Sequence, residues 1–193
     1  MNLFDIAYTK TNFNLDWDTI KPIAEESVSI EKQHHLEEQG VTSFENVDIP
    51  TEDLTELDSF YSFIMPEVNS FVFDTLGYSK EYEVVKQNAW FSKYYDKGYV
   101  RQHSHEESVA VACLYIELPT NAGNIEFKHP FYNHRKNYIV TDDKWLWKEV
   151  EVKERDVVIF DSAIWHRSQP NLSGKQRWTL TTNFGLKTKK KLF

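Results

Sequence analysis

In the stretch QHSHEESVAVACLYIEL, His103 and His105 stand two positions apart and Glu106 and Glu107 follow at once. Behind them comes an apolar run, from Val109 to Ile116, that reads as a buried strand. Ionisable groups at the mouth of such a strand are costly to desolvate unless they find partners. In an extended chain, residues i and i+2 leave the same face about 6.6–6.8 Å apart. His103 and His105 therefore point at one spot, and Glu107 joins them if the strand runs that far. A third group has to come from a distant strand. His166 is the candidate, in DSAIWHRSQP directly after the apolar DVVIF. A His-x-His pair with a remote histidine suits a first-row metal, because neutral imidazole is a good ligand for iron, copper or zinc. In a chain with 7 histidines the isolated pair says little by itself.

Eleven positions after His166 stands Arg177, in GKQRWTLTTNF. Alternation along a strand puts Arg177, Thr179, Thr181 and Asn183 on one face and Trp178, Leu180, Thr182 and Phe184 on the other. If the second face packs into an apolar layer, the arginine lies on the first with a hydroxyl beside it. A guanidinium so placed suits a carboxylate, through a bidentate pair and one further donor. The plainer alternative is a cross-strand ion pair with Glu117 or Asp161.

Elements must hold these groups. Between Leu54 and Leu76 apolar residues recur at three-to-four spacing, which predicts a helix. Thr51 suits its N-cap, Gly77 its stop, and Pro66 should kink or split it. A second helix is expected within Asp16 to Gln39. After Gly77 the texture turns to short β-rich runs, predicting strands near 81–95, 108–118, 124–128, 137–140, 149–153, 156–160, 164–168 and 177–184. Eight strands without intervening helices predict a mainly β jelly roll with helices packed outside. The chain is expected to be one domain, 1–193: helical support over 1–80, a β core over 81–186 and a basic tail over 187–193.

The order NAWFSKYYDKG, HSH, VACLYIELP, NIEFKHP, RDVVIFDSAIWHRSQPN, GKQRWTLTTNF resembles the iron(II)- and 2-oxoglutarate-dependent oxygenases. It is most similar to the phage and bacterial branch related to prolyl hydroxylases, over roughly residues 86 to 185. The resemblance implies a double-stranded β-helix. It also implies Fe(II) as cofactor, 2-oxoglutarate as co-substrate, and a dioxygenase that hydroxylates a C–H bond with release of succinate and CO2. By position, His103 matches the first metal ligand and His166 the distal one. Arg177 matches the residue that grips the far carboxylate of 2-oxoglutarate, with Thr179 as its hydroxyl partner and Tyr115 reaching the same carboxylate. The superfamily usually has Asp or Glu where His105 stands, although the branch it most resembles also has His-x-His. Two ligand sets follow: His103, His105 and His166, or His105, Glu107 and His166. The first keeps the spacing from YYDKG. A rival reading is a cupin-type metal-binding jelly roll with a non-oxidative or purely ligand-binding role, which has no need of Arg177 and Thr179.

Bulk properties limit the partners. The net charge of -8 and pI near 5.4 argue against nucleic acid, which requires clustered positive charge. The only basic cluster, Lys187 and Lys189 to Lys191, reads as a solvated tail. No segment approaches the ~20 apolar residues of a membrane span. A soluble cytoplasmic protein is expected (host cytoplasm if phage-borne), acting with O2 on a protein side chain or small metabolite. Cys113 is the single cysteine and reads as a small buried hydrophobe. Asn88, Trp90, Ser92 and Tyr94 share a strand face, and Asn88 or Tyr94 could line the pocket. Trp145 and Trp147 read either as a lid over substrate or as sheet packing. His34, His35, His129 and His134 read as surface or structural residues.

Overall fold

The structure, a computed structural model, describes residues 6–28, 37–44, 46, 48–130 and 146–189. Nine strands form two antiparallel sheets among these residues: β1 (Tyr8–Asn12), β2 (Glu37–Thr42), β3 (Tyr82–Val100), β4 (Ala110–Glu117), β5 (Ile125–Lys128), β6 (Trp147–Val150), β7 (Asp156–Asp161), β8 (His166–Ser168) and β9 (Arg177–Thr188). The larger sheet has the order β1-β7-β4-β9-β3-β2, and the smaller β6-β5-β8. Two helices, α1 (Trp17–Val28) and α2 (Asp58–Ser70), complete the chain together with short helical turns.

Alternation along the central strands sorts side chains into two cores. From β4, Ala110, Ala112, Leu114 and Ile116 join Val157 and Ile159 of β7 on one face of the large sheet. There they meet Ile20 and Ala24 of α1 and Phe60, Ile64 and Val68 of α2. Val111, Cys113 and Tyr115 point the other way, with Val158 and Phe160, onto Ile125, Phe127 and Val150 of the small sheet. The helices thus cover the outside of a two-sheet roll, and the second core lies between the sheets. A buried Lys93 ties α1 to β3 through Glu25 at 2.6 Å.

The amino-terminal segment, expected as helical support, carries two strands beside its helices. β1 and β2 sit at the two edges of the large sheet, on β7 and β3 respectively. Their sequences, YTKTN and EEQGVT, are polar and lack a two-residue apolar rhythm, because an edge strand can leave one side in water. Gly40 is needed for the second pairing, since a Cβ there would come within 2.8 Å of the Tyr94 ring.

The expected long helix also differs in detail. Thr51 caps no helix; its Oγ1 meets the Ser43 Oγ at 2.9 Å in a buried pair. Thr51–Asp53 and Thr55–Leu57 are separate 3-10 turns, and α2 starts at Asp58. Pro66 lies inside α2 without ending it. Ser62, whose carbonyl loses its partner to the proline, is exposed, so water can bond it. Regularity fails later, at the π-helical turn Phe71–Thr75, where the Leu76 N–H donates to Phe71 O at 2.9 Å. The expected strand at 137–140, the residues His34, His35, His134 and Trp145, and the end of the basic tail lie outside the described residues. Among the described residues no helix is long and apolar enough to cross a membrane.

Candidate metal centre

The three histidines arrive from two places. His166 opens β8 and pairs in the backbone with His103, each N–H donating to the other's carbonyl at 2.9 Å. His105 was expected on the same strand face as His103, but the chain leaves extended pairing after His103 and His105 sits in the loop before β4. That loop is fixed by the His105 N–H donating to Ser162 O at 2.9 Å and the Ser108 N–H to His105 O at 3.0 Å. The outcome is convergence: one ring nitrogen from each of His103, His105 and His166 lies within 4.8 Å of the others. Glu107 is in no such group among the described residues, and it is exposed in the turn beyond His105.

Ring orientation follows from the neighbours. The Nδ1 atoms of His103 and His166 lie 2.8 Å from Arg101 O and 2.9 Å from Ile164 O. A carbonyl only accepts, so Nδ1 carries the proton in both rings and Nε2 offers its lone pair, the tautomer a metal ligand requires. His105 Nε2 lies 3.3 Å from His166 Nε2. Trp90 stacks on His105 at 5.7 Å and 15°, while Phe160 packs edge-on against His166 at 4.7 Å. Burial pushes the His105 imidazolium down to about 3, aided by repulsion from His103 and partly opposed by the Asn183 amide. Burial also holds His166 well below the usual imidazole range, again with repulsion from its two neighbours. Neutral imidazoles in this arrangement fit a divalent first-row metal.

The same cavity, of about 290 Å³, is lined by the histidines, by Tyr115, and by Arg177, Thr179, Thr181 and Asn183 from β9. Trp178, Leu180 and Phe184 turn into the apolar core on the other side. Arg177 is only 1% exposed. Its guanidinium stacks on the Tyr94 ring at 4.3 Å and donates to Ala122 O at 2.7 Å, Gln169 O at 3.2 Å and Ser168 Oγ at 3.0 Å. Gly123, at φ +85°, makes that cradle possible: a Cβ there would fall 2.7 Å from Gln169 O. The two carboxylates proposed as cross-strand partners are engaged elsewhere. Glu117 holds Lys21 at 2.7 Å and Trp17 Nε1 at 2.6 Å, and Asp161 accepts the Ala163 N–H at 2.9 Å. Tyr115 pairs across the sheet with Thr179. Its hydroxyl is held well above the ordinary tyrosine range by burial and Cys113, partly offset by Arg177. Burial raises the Cys113 thiol to about 11, as suits a small hydrophobe.

Two contributors escaped the sequence reading. Ser168 accepts from Arg177 and also from the Val100 N–H at 3.0 Å; two-residue spacing from His166 along β8 was the available signal. Trp90 supports His105, and period-two alternation with Asn88 and Tyr94 was the signal there. All four of Asn88, Trp90, Ser92 and Tyr94 line the cavity. Trp147 packs beneath cations instead of covering the cavity mouth, with Arg167 4.0 Å and Lys128 5.5 Å from its ring.

Comparison with known proteins points one way. A family model described as "Putative 2OG-Fe(II) oxygenase" matches residues 88–183. The fold is similar to that of a prolyl-4-hydroxylase from Pseudomonas putida, at 15% identity and TM-score 0.57 over 93% of this chain and 92% of that one. It is also similar to a viral collagen prolyl hydroxylase from Paramecium Bursaria Chlorella virus-1, solved with 2OG, at 14% identity and TM-score 0.60 over 92% and 94%. Against a 2OG-Fe(II) oxygenase family oxidoreductase from Burkholderia pseudomallei, the match covers 69% of this chain and 57% of that one, at 10% identity and TM-score 0.50. None of the curated proteins compared matches the sequence.

Proposed function

This chain belongs to the iron(II)- and 2-oxoglutarate-dependent oxygenases, and on that premise we propose that it hydroxylates a C–H bond with His103, His105 and His166 as its metal ligands. The observation that carries the reading is the sharing of one cavity by three converging imidazoles and a buried arginine. Bound ferrous iron supplies O2 activation; overall one oxygen atom enters succinate as 2-oxoglutarate loses CO2, and the other enters the substrate C–H bond.

The chain's own groups do the rest. Arg101 O and Ile164 O hold two imidazoles in the Nδ1–H tautomer, and Trp90 fixes the plane of the third. Arg177 holds the far carboxylate of the co-substrate, with the Thr179 and Tyr115 hydroxyls as further donors. Stacking on Tyr94 and three bonds to neutral acceptors keep the guanidinium in place before the co-substrate arrives, so little reorganisation is needed on binding. The set His105, Glu107 and His166 has less support, because Glu107 lies outside the converging group. A cupin-type, non-oxidative site needs no dicarboxylate grip from a buried arginine on the cavity wall.

The test is succinate formation from 2-oxoglutarate by the iron-loaded protein, with and without substrate pools. Production that is lost in His166→Ala and in Arg177→Ala is expected. Full iron occupancy in His166→Ala would overturn the ligand assignment.

A further inference from the structure

The cavity has a second end, which the metal and the dicarboxylate do not use. Its walls are Phe44 and Trp90, whose rings meet edge to face at 4.8 Å. Asn88 also lines it, and its Oδ1 is buried without a hydrogen-bond partner, whereas the Asn183 amide serves His105. A buried amide oxygen left unbonded is costly, so Asn88 marks a place where a donor is missing. The charged groups that line this end are Glu106 and Glu107, exposed carboxylates in the turn directly after His105. The remaining charges in the lining belong elsewhere: Arg177 lies in its cradle, and Arg167 is paired with Glu126 at 2.6 Å.

An unbonded acceptor, negative charge and an aromatic wall, with no cation of the protein's own at that end among the described residues, match one kind of ligand. We propose that this oxygenase acts on a substrate carrying an ammonium or guanidinium group, held against Glu106 and Glu107, bonded by Asn88 and packed on Phe44. The inference rests on the oxygenase reading and adds the class of substrate to it. A cation over an aromatic face gains from the ring quadrupole, and its N–H groups supply the donor that Asn88 lacks. Because the carboxylates follow His105 by one and two residues, the bound cation sits beside the metal, and the carbon oxidised is one close to the nitrogen-bearing group.

The test uses matched pairs on protein loaded with iron(II) and 2-oxoglutarate under argon. L-arginine is compared with L-citrulline, and L-lysine with Nε-acetyl-L-lysine, each free and at the centre of an end-blocked pentapeptide. The cationic member of at least one pair should bind about tenfold tighter or better, and should stimulate succinate formation once O2 is admitted. The free and peptide arms tell a small metabolite from a protein side chain. Glu106→Gln with Glu107→Gln should remove that preference. Asn88→Asp, which adds a carboxylate to the same wall, should raise cation affinity severalfold and serves if the double variant does not fold. Equal binding of neutral and cationic members, or no binding of any cationic probe by protein that does bind 2-oxoglutarate, overturns the inference and leaves the oxygenase reading standing. Failure to bind 2-oxoglutarate at all would overturn that reading instead.

Discussion

Strand β9 presents two faces that are equally hidden from water and do opposite things. Trp178, Leu180 and Phe184 are fully buried and belong to the core beneath the helices. Trp178 meets Trp17 of α1 edge to face at 5.3 Å. One residue out of phase, Arg177, Thr179 and Asn183 are also buried, yet they line the cavity shared with the histidines. Burial alone therefore does not separate structure from function here. What separates them is whether the buried atoms gain from leaving water. Apolar atoms gain about 25 cal/mol per Å², while polar ones lose unless something bonds them. A strand that buries arginine, threonine and asparagine along one face is being stabilised by its other face, and on the proposed reading the polar one serves the co-substrate.

The most damaging substitutions should be those of the proposed metal ligands. His166→Ala removes the imidazole that opens β8, and His103→Ala removes its backbone-paired partner. Each should abolish stoichiometric iron, measured on purified protein, while the apolar face keeps the fold. Iron retained at full stoichiometry in either variant would place the centre elsewhere.

Next come the two faces themselves. Trp178→Ala should cost about 3–5 kcal/mol of stability by opening a cavity, with 2-oxoglutarate affinity of the folded fraction little changed. Arg177→Ala should do the reverse in ligand binding. Loss of one partner of a desolvated charge pair costs roughly 2–5 kcal/mol, and ~1.4 kcal/mol is tenfold, so 2-oxoglutarate should bind about thirty-fold to several thousand-fold more weakly. Arg177→Lys keeps charge without the fork and should fall between. Some loss of melting temperature is also expected in Arg177→Ala, because the guanidinium ties Ala122, Gln169 and Ser168 together. Calorimetry and ligand titration on both variants test the contrast. Parallel losses in both quantities for both residues would dissolve it.

Much of this could be read from residues alone. The alternation of β9 and the strand run from β3 to β9 rest on period-two patterns, which a strand in a two-sided core must obey, while the partnership of His103 with His166 came from the family resemblance. The failures have equally physical origins. β1 and β2 carry no apolar rhythm because they lie at sheet edges. The loop position of His105 was hidden because its geometry comes from a backbone bond to Ser162, far away in sequence. Arg177's cradle depends on carbonyls of Ala122 and Gln169, which no side-chain pattern announces.

The smallest expected effect decides the remaining ambiguity in the ligand set. Glu107 stands two residues from His105, the spacing that could replace the acidic ligand usual in the superfamily, whereas His103 pairs with His166 and converges with the other rings. Glu107→Gln removes the charge and keeps the shape. If His103 completes the set, iron content should stay within about twofold of wild type, and His103→Ala should lose the metal. Glu107 would then act only at the far end of the cavity, so Glu107→Gln should still weaken a cationic probe. An exposed carboxylate contributes roughly 0.2–1 kcal/mol to such a pair, a change of about one-and-a-half- to fivefold. Iron lost in Glu107→Gln and retained in His103→Ala would move the centre to His105, Glu107 and His166, and with it the boundary between the metal-binding and substrate-binding groups of the cavity.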